Sequence, residues 1–182
     1  MLADVGIPMI FVQWPLMFCT LIPVIVVEAL LIRRWVPLSY REAFTGITKA
    51  NVISTLVGIP LAWLAMLALE FAVMLPVCLA ADKWHWKLES PIFQVVGFAL
   101  SAAWIAPFDA YWSVPAAAAL LLIPCFYASV WIERRVCFKS WPTADRAAVH
   151  RGVYLSNLAS YAVLFVLACG WIFYKIFTQY KQ

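Results

Sequence analysis

The stretch Pro23-Val-Ile-Val-Val-Glu28-Ala-Leu-Leu-Ile-Arg33-Arg34, followed after a basic segment by Asn51-Val-Ile-Ser54-Thr-Leu-Val-Gly58, organises the rest of the chain. An apolar run long enough for a helix ends in a carboxylate and an arginine pair. A second apolar run then opens with small polar residues. This is the alternation expected of a hairpin of membrane helices whose turn faces a basic-residue-rich compartment.

Composition supports a membrane class. Of 182 residues, 66% are hydrophobic and 12% charged, against about half apolar and about a quarter charged in soluble domains. Mean hydropathy is +0.91. The expected fold is all-α, a single integral-membrane domain over residues 1–182 with four transmembrane helices at about 9–32, 51–80, 114–132 and 153–176. The first run is about 24 residues, or roughly 36 Å as helix, enough to cross a ~30 Å hydrocarbon core. Pro15 and Pro23 are expected to kink it. Ser39-Tyr-Arg-Glu42 has capping-box spacing and predicts a short surface helix. Asn51 reads as the N-cap of the second span, with the small residues Ser54, Gly58 and Ala62 spaced by four for close helix packing.

The apolar segment 91–107, introduced by Ser90-Pro91, is the ambiguous element. Counting it as a fifth span leaves six Lys and Arg inside and seven outside. With four spans, nine of the thirteen lie in the loops after the first and third spans. The positive-inside tendency favours four spans, both termini periplasmic and 91–107 as an interfacial or re-entrant helix. The basic pairs Arg33-Arg34 and Arg134-Arg135 then act as topology signals and lipid contacts. No removable signal peptide is expected at the N-terminus. A bacterial inner membrane is the expected location, from the compact loops and the absence of sorting signals.

Two readings stand for a set of internal matches, a duplicated hairpin with halves at about 9–80 and 114–177, or chance identity in apolar sequence. Ile22-Pro23 and Arg33-Arg34 match Ile123-Pro124 and Arg134-Arg135 at an offset of 101, while Asn51-x-x-Ser54 matches Asn157-x-x-Ser160 at 106. In this alignment Glu28 faces Ser129 and Gly58 faces Leu164, so the carboxylate belongs to one half alone.

Candidate functional or polar-packing residues are Glu28, Asn51, Ser54 and Glu70. Intramembrane carboxylates are costly and tend to pair or to face cavities. Glu28 is expected to meet the helix end at Asn51 and Ser54, chiefly as a structural clasp. Glu70 stands in an otherwise apolar turn and is expected to be protonated or partnered across the bundle. His85, between Trp84 and Trp86, reads as an interfacial anchor, His150 as a lipid-facing residue and Asp109 as a helix cap.

Five single cysteines and two distant histidines predict no metal site. No nucleotide-binding, hydrolase or metalloprotease motif is present, so no cofactor and no enzymatic activity are expected. The charge of +4 needs no nucleic acid to explain it. The expected function is an accessory, scaffold or assembly subunit of a larger membrane complex, partnered by lipids and by other subunits or copies of itself. The alternative is a small oligomeric transporter or channel using intramembrane carboxylates.

Overall fold

The structure, a computed structural model, describes residues 8–84, 91–103 and 112–179. His85, Ser90 and Asp109 lie outside the described residues. The described chain is helical: α1 (Ile10–Ile32), α2 (Tyr40–Ile53), a π turn (Ser54–Gly58), α3 (Ile59–Trp84), α4 (Pro91–Leu100), a 3-10 turn (Ser101–Ala103), α5 (Ser113–Ser140) and α6 (Arg146–Gln179). Four helical segments are long and apolar enough to cross a membrane: Ile10–Ile32, Tyr40–Ala80, Ser113–Ser140 and Arg146–Thr178. At ten residues, or roughly 15 Å, α4 is too short to do so. It packs on α3 and α5.

The four long segments close into a bundle in which α1 and α5 each pack against both α2 and α6. Both re-entering helices start at a side-chain cap. Ser39 accepts from the Glu42 N–H, and the Glu42 carboxylate reaches back to the Ser39 N–H at 2.9 Å, completing the capping box that the sequence spacing predicts. Asp145 performs the same task for α6, accepting from the N–H groups of Ala147 and Ala148 at 3.2 and 3.0 Å.

In one respect the second span departs from expectation. Asn51 is no N-cap, because α2 runs without interruption through the π turn into α3. The Ser39 cap starts the helix twelve residues earlier, and nothing in Tyr40–Ile53 stops it. A proline follows the π turn and leaves one of its carbonyls free. In the wider π register the N–H of residue 60 would reach the Thr55 carbonyl, but residue 60 is proline and has no N–H to give. The Trp14 indole N–H takes that carbonyl instead, at 3.2 Å.

Small residues set the helix spacing. At Gly58 an added Cβ would stand 3.2 Å from Ile132 Cδ1 and 3.7 Å from Ala128 Cβ, so α5 approaches the π turn at near backbone distance. Ala62, one turn on, is buried with Cys125 and Tyr161. At the arginine-rich end, Ala29, Ile32, Val36, Ala43, Ile47, Ala50, Cys137, Trp141, Val149 and Val153 form one buried cluster.

Two sockets close that cluster. The Trp141 ring lies where a Gly46 side chain would stand, and its Nε1–H donates to the Glu42 carbonyl at 3.4 Å. Gly152 of α6 receives Ile32 and Trp35 from the end of α1 in the same way. A Gly46→Val change therefore forces the indole out of its socket. It is expected to cost about 1–3 kcal/mol, seen as a lower thermal midpoint in detergent. Gly170→Ala, where an added Cβ meets nothing within 4 Å, is expected to leave the midpoint unchanged or slightly raised.

A candidate polar site at the centre of the bundle

Glu28 on α1 and Glu133 on α5 are both fully buried, with relative exposures of 0% and 1%. Each carboxyl group is held by two donors, one from each of the other two helices around it. Glu28 accepts from Asn51 Nδ2 at 2.7 Å and from Ser160 Oγ at 2.5 Å. Glu133 accepts from Asn157 Nδ2 at 2.6 Å and from Ser54 Oγ at 2.7 Å. Each glutamate thus takes its amide partner from the helix that follows it in sequence and its hydroxyl partner from the opposite hairpin. All four carboxyl oxygens are engaged. The two carboxyl groups also act on one another electrostatically.

The supporting bonds are duplicated too. Asn51 and Asn157 each give their second amide hydrogen to the carbonyl four residues back, Ile47 at 3.2 Å and Val153 at 3.1 Å. Ser54 and Ser160 each contact the carbonyl three residues back, Asn51 at 3.1 Å and Asn157 at 3.0 Å. These contacts pin both rotamers, so the hydroxyls and amides are aimed before any ligand arrives. One atom is left over: Asn157 Oδ1 is buried without a partner.

Beside the network is a cavity of about 20 Å³, lined by Asn51, Ser54, Thr55, Ser129, Glu133 and Tyr161 among others. That is room for about one water molecule. Tyr161 and Ser129 hydrogen-bond to each other at 2.9 Å on its wall. A larger apolar crevice of about 250 Å³ adjoins it between α1, α5 and α6, sharing Met17, Thr20 and Leu164. Gln13 lies on that crevice, its amide nitrogen 3.6 Å from Cys125 Sγ.

The sequence candidates divide. Glu28, Asn51 and Ser54 meet in one network, as expected, but no helix N-terminus takes part, since Asn51 and Ser54 lie within a continuous helix. Glu70 is half-buried on α3, sixteen residues past Ser54 and so roughly 24 Å along the helix. Gly58 and Ala62 line the contact with α5. Arg33 donates to the Leu38 carbonyl and covers the Tyr40 ring, and Arg135 donates to the Trp131 carbonyl and covers the Trp131 ring. Arg34 is exposed and Arg134 half-buried. No basic side chain among the described residues acts on either buried carboxyl. His150 is exposed. No group of three or more metal-ligating His, Cys, Asp or Glu side chains occurs among the described residues.

Three residues of the site were not singled out in advance: Glu133, Asn157 and Ser160. The expected alignment placed Ser129 opposite Glu28, and that is corrected. Ser129 serves Tyr161, and Glu133 stands in the role matching Glu28. Glu133 adjoins Arg134-Arg135 and reads as a loop charge, yet α5 continues past it to Ser140. The usable signal was the offset of 106, which relates Trp35 to Trp141, Ser39 to Asp145, Gly46 to Gly152, Asn51 to Asn157 and Ser54 to Ser160. The glutamates lie 105 apart, one residue inside that register.

No protein-family model matches the chain, and no curated protein and no solved structure matches it either. The site therefore has to be read from its own chemistry. Because the two sets of bonds are alike, Asn51→Ala and Asn157→Ala should cost similar amounts, about 1–3 kcal/mol each for a carboxyl oxygen deprived of its donor. Chemical denaturation in mild detergent checks this, and a threefold disparity would show that the sets are not equivalent.

Proposed function

We propose that this chain is a small non-enzymatic integral membrane protein acting as an accessory, scaffold or assembly subunit of a larger membrane complex. The observation that carries the reading is the closure of the polar network. Every carboxyl oxygen at the bundle centre already has a hydrogen-bond partner from the chain itself, and the cavity beside it has room for about one water. Such a site offers a solute neither a free charge nor a passage. Its chemistry suits a clamp that holds two hairpins in one register, the best attested use of buried polar groups. The outer faces of all four long segments are lined with apolar side chains such as Phe11, Ile22, Leu79, Tyr127, Val166 and Phe177, available to lipid and to neighbouring subunits.

The finer placement belongs to the same reading. The arginine-rich helix ends lie in the cytoplasm of a bacterial inner membrane, with both chain termini periplasmic. The two hairpins are copies of one ancestral unit, for which the shared offset of 106 and the paired caps, sockets and carboxyl contacts speak.

One observation favours a second reading, a small oligomeric transporter or channel. Paired intramembrane carboxyls are expensive and are retained where protons or ions are handled. Native mass spectrometry in mild detergent separates the two. A stable complex with other membrane proteins is expected, whereas a homo-oligomer that carries proton-dependent flux in liposomes would replace the subunit reading with transport.

A further inference from the structure

The hydrogens at the bundle centre do not suffice for the contacts made there. A serine hydroxyl carries one hydrogen. Ser54 Oγ nevertheless lies 2.7 Å from Glu133 Oε1 and 3.1 Å from the Asn51 carbonyl oxygen, both of which are acceptors when the carboxyl is ionised. Ser160 Oγ repeats the pattern with Glu28 Oε1 at 2.5 Å and the Asn157 carbonyl at 3.0 Å. The amide hydrogens of Asn51 and Asn157 are fully committed to the other carboxyl oxygens and to the Ile47 and Val153 carbonyls. Donors therefore fall two short, one at each serine. The unpartnered Asn157 Oδ1 is an independent sign of the same imbalance, a buried acceptor in the network for which the chain supplies no hydrogen.

Among the described residues no basic side chain acts on the pair. The titratable groups that act on it are Cys137 on α5 and Tyr161 on α6, neither of them cationic, and the α2 segment with its π turn presents Asn51, Ser54 and Thr55. Two ionised carboxylates acting on one another inside an apolar bundle would carry two uncompensated charges, which protein interiors do not tolerate.

We propose that Glu28 and Glu133 form a two-proton binding site, each carboxyl a neutral acid that donates to the serine of the opposite hairpin. The acid hydrogen on Glu133 Oε1 then goes to Ser54 Oγ, which passes its own hydrogen to the Asn51 carbonyl. Glu28 does the same through Ser160 to the Asn157 carbonyl. Both serine contacts that lacked a hydrogen acquire one, and the site becomes electrically neutral. The ligand is the proton, and the sites are filled whether the protein serves as a subunit or as a carrier, so the inference stands apart from the functional reading above.

The hypothesis makes glutamine the nearest substitute, since its neutral amide sets an acceptor oxygen beside a donor group as a neutral acid does, with one hydrogen to spare. The test is infrared difference spectroscopy of the protein in liposomes at neutral pH, in H2O and D2O, comparing wild type with Glu28→Gln, Glu133→Gln and the double variant. The expected result is a deuterium-sensitive protonated-carboxyl band that each single change halves and the double change removes, with thermal midpoints near wild type. If wild type minus double variant shows ionised-carboxylate bands, the proposal is overturned. It is equally overturned if either glutamine variant fails to fold, because the amide would then not stand in for the group that is there.

Discussion

Two carboxyl groups meeting inside an apolar bundle without a basic partner are the constraint on which this structure depends. An isolated carboxylate transferred from water to hydrocarbon is among the costliest groups a fold can bury. Here no basic side chain among the described residues acts on either group, and the hydrogen-bond partners have to come from all sides at once. That requirement fixes the rotation of α1 and α5 about their axes, since Glu28 and Glu133 must both point inward, and it fixes the axial register of the two long helices that carry Asn51, Ser54, Asn157 and Ser160. Apolar packing sets how near the helices come, and the polar centre decides at what depth. Helices whose outer faces are as apolar as these have few other means of choosing one register.

The continuity of the second span follows from the same constraint. Ser54 can reach Glu133 because it occupies a helical turn directly after Asn51, which serves Glu28. Had the chain broken at Asn51, as an N-cap would require, the two side chains could not have been aimed at carboxyls on different helices with the same rigidity. The π turn at Ser54–Gly58 widens the helix where Ser54 and Thr55 face the small cavity, and Trp14 from α1 takes up the carbonyl that proline leaves unserved. Irregular backbone at depth is tolerated here because it is buried in protein.

Much of this was legible in the chain. Lengths and hydropathy announced four helices long and apolar enough to cross a membrane, the Ser39/Glu42 spacing announced the cap, and the four-residue rhythm of Ser54, Gly58 and Ala62 announced a close contact. Glu28 drew notice because it is a charge within an apolar run. Glu133 did not, and the reason is physical: helix α5 carries its charged residues Glu133, Arg134, Arg135 and Lys139 on a continuous helix that outlasts its apolar stretch, so the sequence shows a boundary of hydropathy where the backbone has none. Asn157 and Ser160 were visible as a motif yet had no visible partner, since reciprocity between hairpins more than a hundred residues apart is a property of packing and not of local pattern.

The glycine sockets carry one more implication. Gly46 is filled by Trp141, at the far end of the other hairpin, and Gly152 by Ile32 and Trp35. Each hairpin thus keeps vacant a hole shaped for a side chain of its counterpart. Without α5 and α6 the first hairpin has its socket open and its glutamate short of a partner. Neither hairpin is complete by itself, and each is finished by side chains that only its counterpart carries.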